Sequence, residues 1–178
     1  MTALNAIAIR PYRSSDVRAA YEAAMESVQR VQPFMPWCRA DLTEYELGAW
    51  IEMQVAAFQA KTTFEFAIVD ESRFVGGCGL NKIDTEDRRA NVAYWVRTTA
   101  ARRGIATAAI RHVVHWAWEN TELERLEVVV ATTNRPSLRT AGRAGARREG
   151  VLRHRLLLHG VMHDAVMFSF VRDANQSR

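Results

Sequence analysis

Apolar and polar residues follow two different periods along this chain, and the period separates the predicted strands from the predicted helices. Residues 7–12 alternate apolar and polar, which predicts a first strand. Residues 17–28 place apolar side chains at helical spacing with charged residues on the opposite face, which predicts an amphipathic helix. The T-x-x-E sequence at 43–46 is a capping box, and it predicts a second helix that runs to about residue 59.

The rest of the chain continues this pattern through strands, two helices and a final hairpin. The further predicted elements are strands at 62–69, 73–80 and 91–96, a helix from 105 to about 119, a strand at 126–131, a short helix opening at 134, and strands at 147–158 and 165–171. The order β-α-α-β-β-β-α-β-α-β-β predicts an α/β (mixed α+β) fold with helices on both faces of a mainly antiparallel sheet. No linker or repeat interrupts it, so a single domain is predicted over 1–178, with a disordered tail at 172–178.

One segment combines a strand, a short basic turn and the start of a helix. The strand at 91–96 leads through Arg102 and Arg103 to Gly104, directly before the helix. A helix N-terminus offers unpaired N–H groups and positive potential, and glycine lets a ligand approach the backbone closely. The segment therefore predicts a site for the pyrophosphate of a nucleotide-like cofactor. An ordinary turn glycine is the alternative, and the sequences of a P-loop and of a dinucleotide-binding fingerprint are both absent.

Composition narrows the class of protein and the partners. The chain has 178 residues, of which 48% are hydrophobic and 25% charged, as in ordinary globular proteins. It contains no apolar run long enough to cross a membrane, no signal peptide and only two cysteines, so a cytoplasmic protein is expected. The net charge of +4 comes from scattered arginines rather than a dense basic run, which makes nucleic acid an improbable partner.

Two groups of potentially reactive side chains are not predicted to be functional. Arg111, His115 and Glu119 share one face of the third helix, but no further ligand completes a metal site, so no metal is predicted. Cys38 and Cys78 have no His–Asp partners in a recognisable pattern, so neither is predicted to be a nucleophile.

Four segments together resemble one enzyme family. They are YWVRTTAARRGIAT at 94–107, NRPS at 134–137, REGVLR at 148–153 and FMPW at 34–37. The first is similar to the strand and pyrophosphate loop of the GNAT superfamily of acyl-CoA N-acyltransferases, and the second to that family's N-x-x-S. The full set resembles the Rim-type branch, which contains the bacterial ribosomal-protein N-terminal acetyltransferases.

The resemblance implies a set of site residues around acetyl-CoA, the acyl donor. The residues implied to bind the donor are Tyr94, Trp95, Val96, Arg102, Arg103, Gly104, Ile105, Ala106, Thr107 and Asn134. Ser137 would give a proton to the leaving thiolate, and Asn134 would position the donor or that serine. Phe34 and Trp37 would contact the acceptor, and the branch suggests a homodimer. The alternatives are a helix cap for Asn134, a first-turn residue for Ser137, and core positions for Phe34 and Trp37.

Two positions depart from the family pattern, and one of them bears on the acceptor. Ala101 stands where the family usually has Gln or Arg, and Leu156 where some relatives carry a Glu proposed as a base. Glu65, Asp84 and His154 are the remaining candidate bases. An α-amino group titrates near ~7.7–8.0 and a lysine near ~10.4, so a site without a recognisable base favours an α-amine.

The sequence thus predicts an acetyl-CoA-dependent N-acetyltransferase acting on a protein or peptide N-terminus. A small amine, amino acid or antibiotic is the alternative acceptor. A non-catalytic acyl-CoA-binding module is the alternative from another class, because Ala101 and Leu156 depart from the family pattern.

Overall fold

A computed structural model describes residues 7–173 of the chain. The strands are β1 (Ile7–Pro11), β2 (Phe64–Asp70), β3 (Arg73–Asp84), β4 (Arg89–Val96), β5 (Arg125–Ala131), β6 (Arg147–Leu158) and β7 (Val161–Val171), and the helices are α1 (Val17–Val31), α2 (Glu44–Gln59), α3 (Ile105–Asn120) and α4 (Arg135–Ala144). The strands form one sheet in the order β1-β2-β3-β4-β5-β7-β6. This sequence of elements and the mainly antiparallel sheet confirm the predicted fold class.

Local sequence signals set the ends of the helices. The Thr43 hydroxyl accepts the N–H of Glu46 at the start of α2, and the Glu46 carboxylate accepts the N–H of Thr43, which is the predicted capping box. At the start of α4, the side chain of Asn134 accepts the N–H of Ser137. Gly145 ends α4 in the left-handed conformation, with φ of 103°.

Each face of the sheet carries its own hydrophobic core. Helix α3 packs over β1, β3 and β4 and also contacts α4, whereas α1 and α2 pack on the opposite face. The larger core lies under α3 and includes Phe66, Leu80 and Val113; the smaller core under α1 and α2 includes Tyr12 and Ile51. The alternation of side chains along each strand assigns every residue to one of these two faces.

Strands β4 and β5 are the one parallel pair in the described sheet, and they soon separate. Their pairing covers only Arg89, Ala90 and Asn91 of β4 within the residues that the structure describes. β4 continues to Val96 and β5 to Ala131, so the two strands diverge and leave an opening in the middle of the sheet. This opening positions the candidate site.

The C-terminal part differs from the sequence prediction in two places. β7 begins at Val161 rather than at 165, because the final hairpin pairs along almost the whole length of β6. Arg172 was included in the predicted disordered tail, but its guanidinium donates to the carbonyl oxygens of Trp118, Thr121 and Leu123. Residues 174–178 of that tail lie outside the described residues. No helix in the described part has the length and apolar character needed to span a bilayer.

Candidate active site

The open edge of β4 provides backbone groups that face the gap between the strands. The N–H of Arg97 donates to the carbonyl of Val75 on β3. Because neighbouring residues of an antiparallel strand point their hydrogen-bonding groups to opposite edges, Tyr94 and Val96 direct theirs away from β3. β5 has already diverged at this level. The edge of β4 can therefore accept an extended ligand as an additional strand.

A cleft of about 300 Å³ runs along this edge of β4. Its walls come from α1 and the loop after it, β4, the loop before α3, and α4. Arg30, Arg102 and Arg143 line it, and none of the lining residues is acidic. None of the three arginines has a carboxylate partner within residues 7–173. The cleft therefore suits a ligand with several negative charges.

The turn before α3 places backbone N–H groups at the cleft. Gly104 precedes the helix with φ of 80°, and Arg102 is also left-handed, with φ of 64°. The first backbone bond of the helix runs from the N–H of Ala108 to Gly104, so the N–H groups of residues 105–107 have no acceptor within the helix. These groups can bind an anion.

Helix α1 holds residues 97–99, which lead from β4 to this turn, through hydrogen bonds that the sequence did not predict. The Glu26 carboxylate accepts from the guanidinium of Arg97 and from the N–H of Thr99, 2.8 Å away. The hydroxyl of Ser27 accepts the N–H of Thr98 at 3.0 Å. The bond from Arg97 and burial oppose each other at Glu26, and the net effect lowers its pKa to about 2. The segment between β4 and α3 is thereby fixed to α1.

The structure brings most of the predicted site residues to this one cleft. The predicted residues that line it are Phe34, Tyr94, Trp95, Val96, Arg102, Gly104, Ile105, Ala106, Thr107, Asn134 and Ser137. Arg103 does not line it, because its guanidinium lies 2.9 Å from the Asp70 carboxylate at the end of β2. Arg30 and Arg143 were not predicted, since they come from helices whose approach to the cleft depends on the fold.

Ser137 and Tyr94 form a pair of hydroxyl groups across the cleft. The two side-chain oxygens are 2.7 Å apart and joined by a hydrogen bond. Asn134 caps α4 through the N–H of Ser137, so it holds the serine in position while it also lines the cleft. Burial raises the pKa of Tyr94 to about 12, and the bond to Ser137 offsets this only partly. Both hydroxyls therefore keep their protons at neutral pH.

The two aromatic residues predicted to contact the acceptor lie in different cavities. Phe34 lines the cleft and also a cavity of about 170 Å³ between the diverging strands. Trp37 lies in a separate cavity of about 230 Å³ with Trp50. Its ring meets Trp95 edge to face, with centroids 5.4 Å apart. Trp95 lines both the cleft and the cavity that contains Trp37, so its side chain lies between Phe34 and Trp37.

The three candidate bases have different environments. Asp84 is paired with Arg89, and its pKa is lowered, with the hydrogen bond from the N–H of Asp87 as the largest cause. His154 is exposed on β6. Glu65 is mostly buried on β2 and accepts a hydrogen bond from the side chain of Asn81. Burial raises the pKa of Glu65 to about 7.

Comparison with known families identifies the family of this chain. Residues 7–147 match the family model described as "Acetyltransferase (GNAT) domain". The chain belongs to the GNAT acetyltransferase family. The predicted family is therefore confirmed.

Two of the relatives of this chain have names that describe acetyltransferases. The putative ribosomal N-acetyltransferase YdaF of Bacillus subtilis is 31% identical over 61% of this chain and 59% of that protein. The ribosomal-protein-serine acetyltransferase of Escherichia coli is 22% identical over 89% of this chain and 88% of that protein. The match thus spans about three-fifths of YdaF.

Two solved acetyltransferase structures have nearly the same fold. The microcin C7 self-immunity acetyltransferase MccE, in complex with acetyl-CoA and AMP, has a TM-score of 0.88 at 22% identity and covers 94% of this chain and 93% of its own. RimL, a ribosomal L7/L12 alpha-N-protein acetyltransferase in complex with coenzyme A, has a TM-score of 0.87 at 19% identity and covers 95% of this chain and 96% of its own.

Proposed function

We propose that this chain is an N-acetyltransferase that moves the acetyl group of acetyl-CoA directly to an amine. The observation that carries the proposal is the unpaired edge of β4, which opens into a cleft lined by three arginines and no acidic residue. An edge of this kind can bind an extended pantetheine arm, and the arginines suit the phosphates at the other end of coenzyme A.

The donor's phosphates would be bound by backbone N–H groups and by arginine side chains from three parts of the chain. The N–H groups of residues 105–107 and the guanidinium of Arg102 would take the pyrophosphate. Arg30 and Arg143 would supply positive charge elsewhere in the cleft. Arg102 would provide the cationic contact in place of Ala101, whereas Arg103 is engaged by Asp70.

The hydroxyl pair would return a proton to the sulfur. In the reaction the amine nitrogen bonds to the acetyl carbon, the carbon–sulfur bond breaks, and the thiolate gains a proton. Ser137 lines the cleft and would give that proton. The hydroxyl of Tyr94, which is hydrogen-bonded to Ser137, would then supply a new proton to the serine. Asn134 would hold Ser137 in place.

The acceptor would be the α-amine of a protein or peptide N-terminus. The names of YdaF, the E. coli serine acetyltransferase and RimL all refer to ribosomal substrates, and these relatives support the proposal. The cavity between β4 and β5 opens beside Phe34 and Met35, where an acceptor could reach the edge of β4. A small-molecule amine is the alternative acceptor, and the experiment must distinguish it from a peptide N-terminus.

The test is a transfer assay with acetyl-CoA and a panel of amines. The panel contains peptides with different first residues, their N-terminally blocked counterparts, a lysine side-chain amine, polyamines and an aminoglycoside. We expect release of free thiol with unblocked peptides and loss of the signal when the N-terminus is blocked. Equal transfer to blocked peptides or preference for the small amines would contradict the acceptor class, and no transfer to any amine would contradict the enzyme activity.

A further inference from the structure

Glu65, Gly79 and Ala93 form a row on the α1/α2 face of the sheet, and we call this row the groove because two of its three residues have little or no side chain. The register places Glu65 of β2, Gly79 of β3 and Ala93 of β4 side by side across three neighbouring strands. Phe64 and Phe66 belong to the core under α3, so Glu65 between them points to the opposite face. Gly79 has no side chain and Ala93 has only a methyl group, so no large side chain of β3 or β4 stands beside Glu65 in this row.

The carboxyl group of Glu65 reaches across this groove. A Cβ atom placed on Gly79 would lie 2.4 Å from Oε2 of Glu65, so the carboxylate already lies above β3. Neighbouring strands are about 4.8 Å apart, and the remaining distance to β4 is therefore roughly one strand spacing. One water molecule can bridge polar groups over such a gap. Ala93 is only partly buried and lines the cavity between β4 and β5.

Two asparagines fix one oxygen of the carboxylate and leave the other available. The side chain of Asn81 donates to Oε1 of Glu65 at 3.2 Å, and Asn91 donates to the oxygen of Asn81 at 2.9 Å. Oε2 accepts no hydrogen bond from the side chains or backbone of the described residues. The fixed orientation directs Oε2 to the groove.

The electrostatic surroundings of Glu65 contain no compensating cation. The ionisable groups that interact with it are the phenol of Tyr12 after β1 and, from the opposite face of the sheet, the thiol of Cys78 on β3, and burial raises the pKa of both. No cation from α1, α2 or the rest of residues 7–173 forms a salt bridge with it. Burial therefore dominates and places the pKa of Glu65 at about 7.

We propose that Glu65 is the proton acceptor for the amine, through one water molecule held above Gly79 and Ala93, and that the acceptor class is amines that titrate near neutrality. The inference rests on the proposed function. The ammonium passes one proton through the water to Glu65. The nitrogen then bonds to the acetyl carbon, the carbon–sulfur bond breaks, and the sulfur takes a proton from Ser137. The second proton of the nitrogen passes to solvent, and Ser137 regains a proton from solvent through the hydroxyl of Tyr94. Glu65 then returns its proton to solvent. A base is most effective when its pKa is near the working pH and near that of an α-amine.

The test compares Glu65→Gln with Glu65→Asp and with Glu52→Gln, which replaces an exposed acid on α2. Glutamine keeps an oxygen that can accept from Asn81, so a purely structural role would be preserved. We expect Glu65→Gln to lower kcat/KM at pH 7 by about 100-fold with a peptide acceptor. In a plot of kcat/KM against pH, we also expect Glu65→Gln to remove the rise near pH 7 that the titration of Glu65 causes. The rise caused by the titration of the substrate amine should remain. Acetyl-CoA affinity should stay within about two-fold.

The variants separate the possible failures. Glu65→Asp should keep the limb near pH 7 with an intermediate rate, and Glu52→Gln should match the wild type. If Glu65→Gln keeps both the rate and the limb while the wild type is active, the role of Glu65 is overturned and the proposed function stands. If the wild type transfers acetyl to no amine, both proposals are overturned.

Discussion

Ser137 and Tyr94 are two hydroxyls that serve one step if the proposed reaction is correct. Replacement of Ser137 by alanine should lower kcat by about 100-fold, because general acid catalysis contributes roughly that much. Tyr94→Phe removes the second hydroxyl and should lower kcat by about 10-fold. Acetyl-CoA affinity of Ser137→Ala, measured by calorimetry, should be unchanged, because Asn134 caps α4 through the serine N–H rather than its hydroxyl.

The double variant distinguishes a coupled pair from two independent groups. Hydroxyls 2.7 Å apart that act in sequence should show strong non-additivity, so the double variant should be little slower than Ser137→Ala. If the loss of kcat in the double variant equals the product of the losses in the two single variants, transfer of the proton through the pair is contradicted.

At the scale of elements, the junction of β4 and α3 depends on Gly104. Its φ of 80° is unfavourable for any residue with a Cβ, by about 1 kcal/mol. Gly104→Ala should weaken acetyl-CoA binding at least about 10-fold, because it also narrows the approach to the N–H groups of α3. Gly160→Ala is the matched control: Gly160 has φ of 79° in the β6–β7 turn and lines neither the cleft nor the cavity between the strands. Equal weakening in both variants would contradict a phosphate site at Gly104.

The attachment of α1 to the same junction gives a second prediction at this scale. Ser27→Ala removes the acceptor for the N–H of Thr98 and should cost about 1–2 kcal/mol of stability. It should also weaken acetyl-CoA binding several-fold, because the turn before α3 is held by this contact. Ser169→Ala is the control, since Ser169 is equally buried and hydrogen-bonded to Glu149 but lies on β7 away from the cleft. Thermal unfolding measures the stability of both variants, and calorimetry measures their acetyl-CoA affinity. A Ser27→Ala variant that loses stability but binds acetyl-CoA normally would show that the turn before α3 does not depend on this contact.

The sequence predicted these elements well because their signals are local. Period-two alternation, the capping box at Thr43 and the glycine before α3 each depend on residues within a few positions of one another. The contacts that complete the site are not local. Arg103 pairs with Asp70, and Tyr94 bonds to Ser137, across distances in sequence that only the folded sheet closes.

The substrate side was predicted less well for the same reason. FMPW marks a loop, but the loop's path decides that Phe34 faces the cleft while Trp37 packs against the other side of Trp95. Glu65 could be named as a candidate base, yet its position depends on Gly79 one strand away, which supplies the space for the carboxylate. No periodicity in the sequence encodes that neighbour.

For the whole molecule, three carboxylates with shifted pKa values give opposing dependences of stability on pH. Arg97 holds the pKa of Glu26 at about 2, and Arg125 does the same for Glu149. Glu26 and Glu149 each stabilise the folded state at pH values above ~4.3, the pKa of glutamate in the unfolded chain. This stabilisation is lost as the pH falls towards 2. Glu65 has a pKa raised from 4.5 to about 7, so its contribution is fully present below 4.5 and is lost as pH rises through 7. Stability should therefore be greatest near about pH 5.

Glu65→Gln should remove the decline of stability on the alkaline side of that maximum. A pKa shift from 4.5 to about 7 corresponds to roughly 3 kcal/mol at most, so the wild type should lose up to that amount between pH 5 and 8. Glutamine cannot ionise and can still accept from Asn81, so the variant should be more stable than the wild type at pH 8 and similar at pH 5. Urea unfolding at both pH values measures this, with Glu52→Gln following the wild type. If Glu65→Gln loses the same stability at both pH values, Glu65 is ionised in the folded protein at both. Its pKa would then lie below 5, and the proposal of a proton acceptor that titrates near pH 7 would be contradicted.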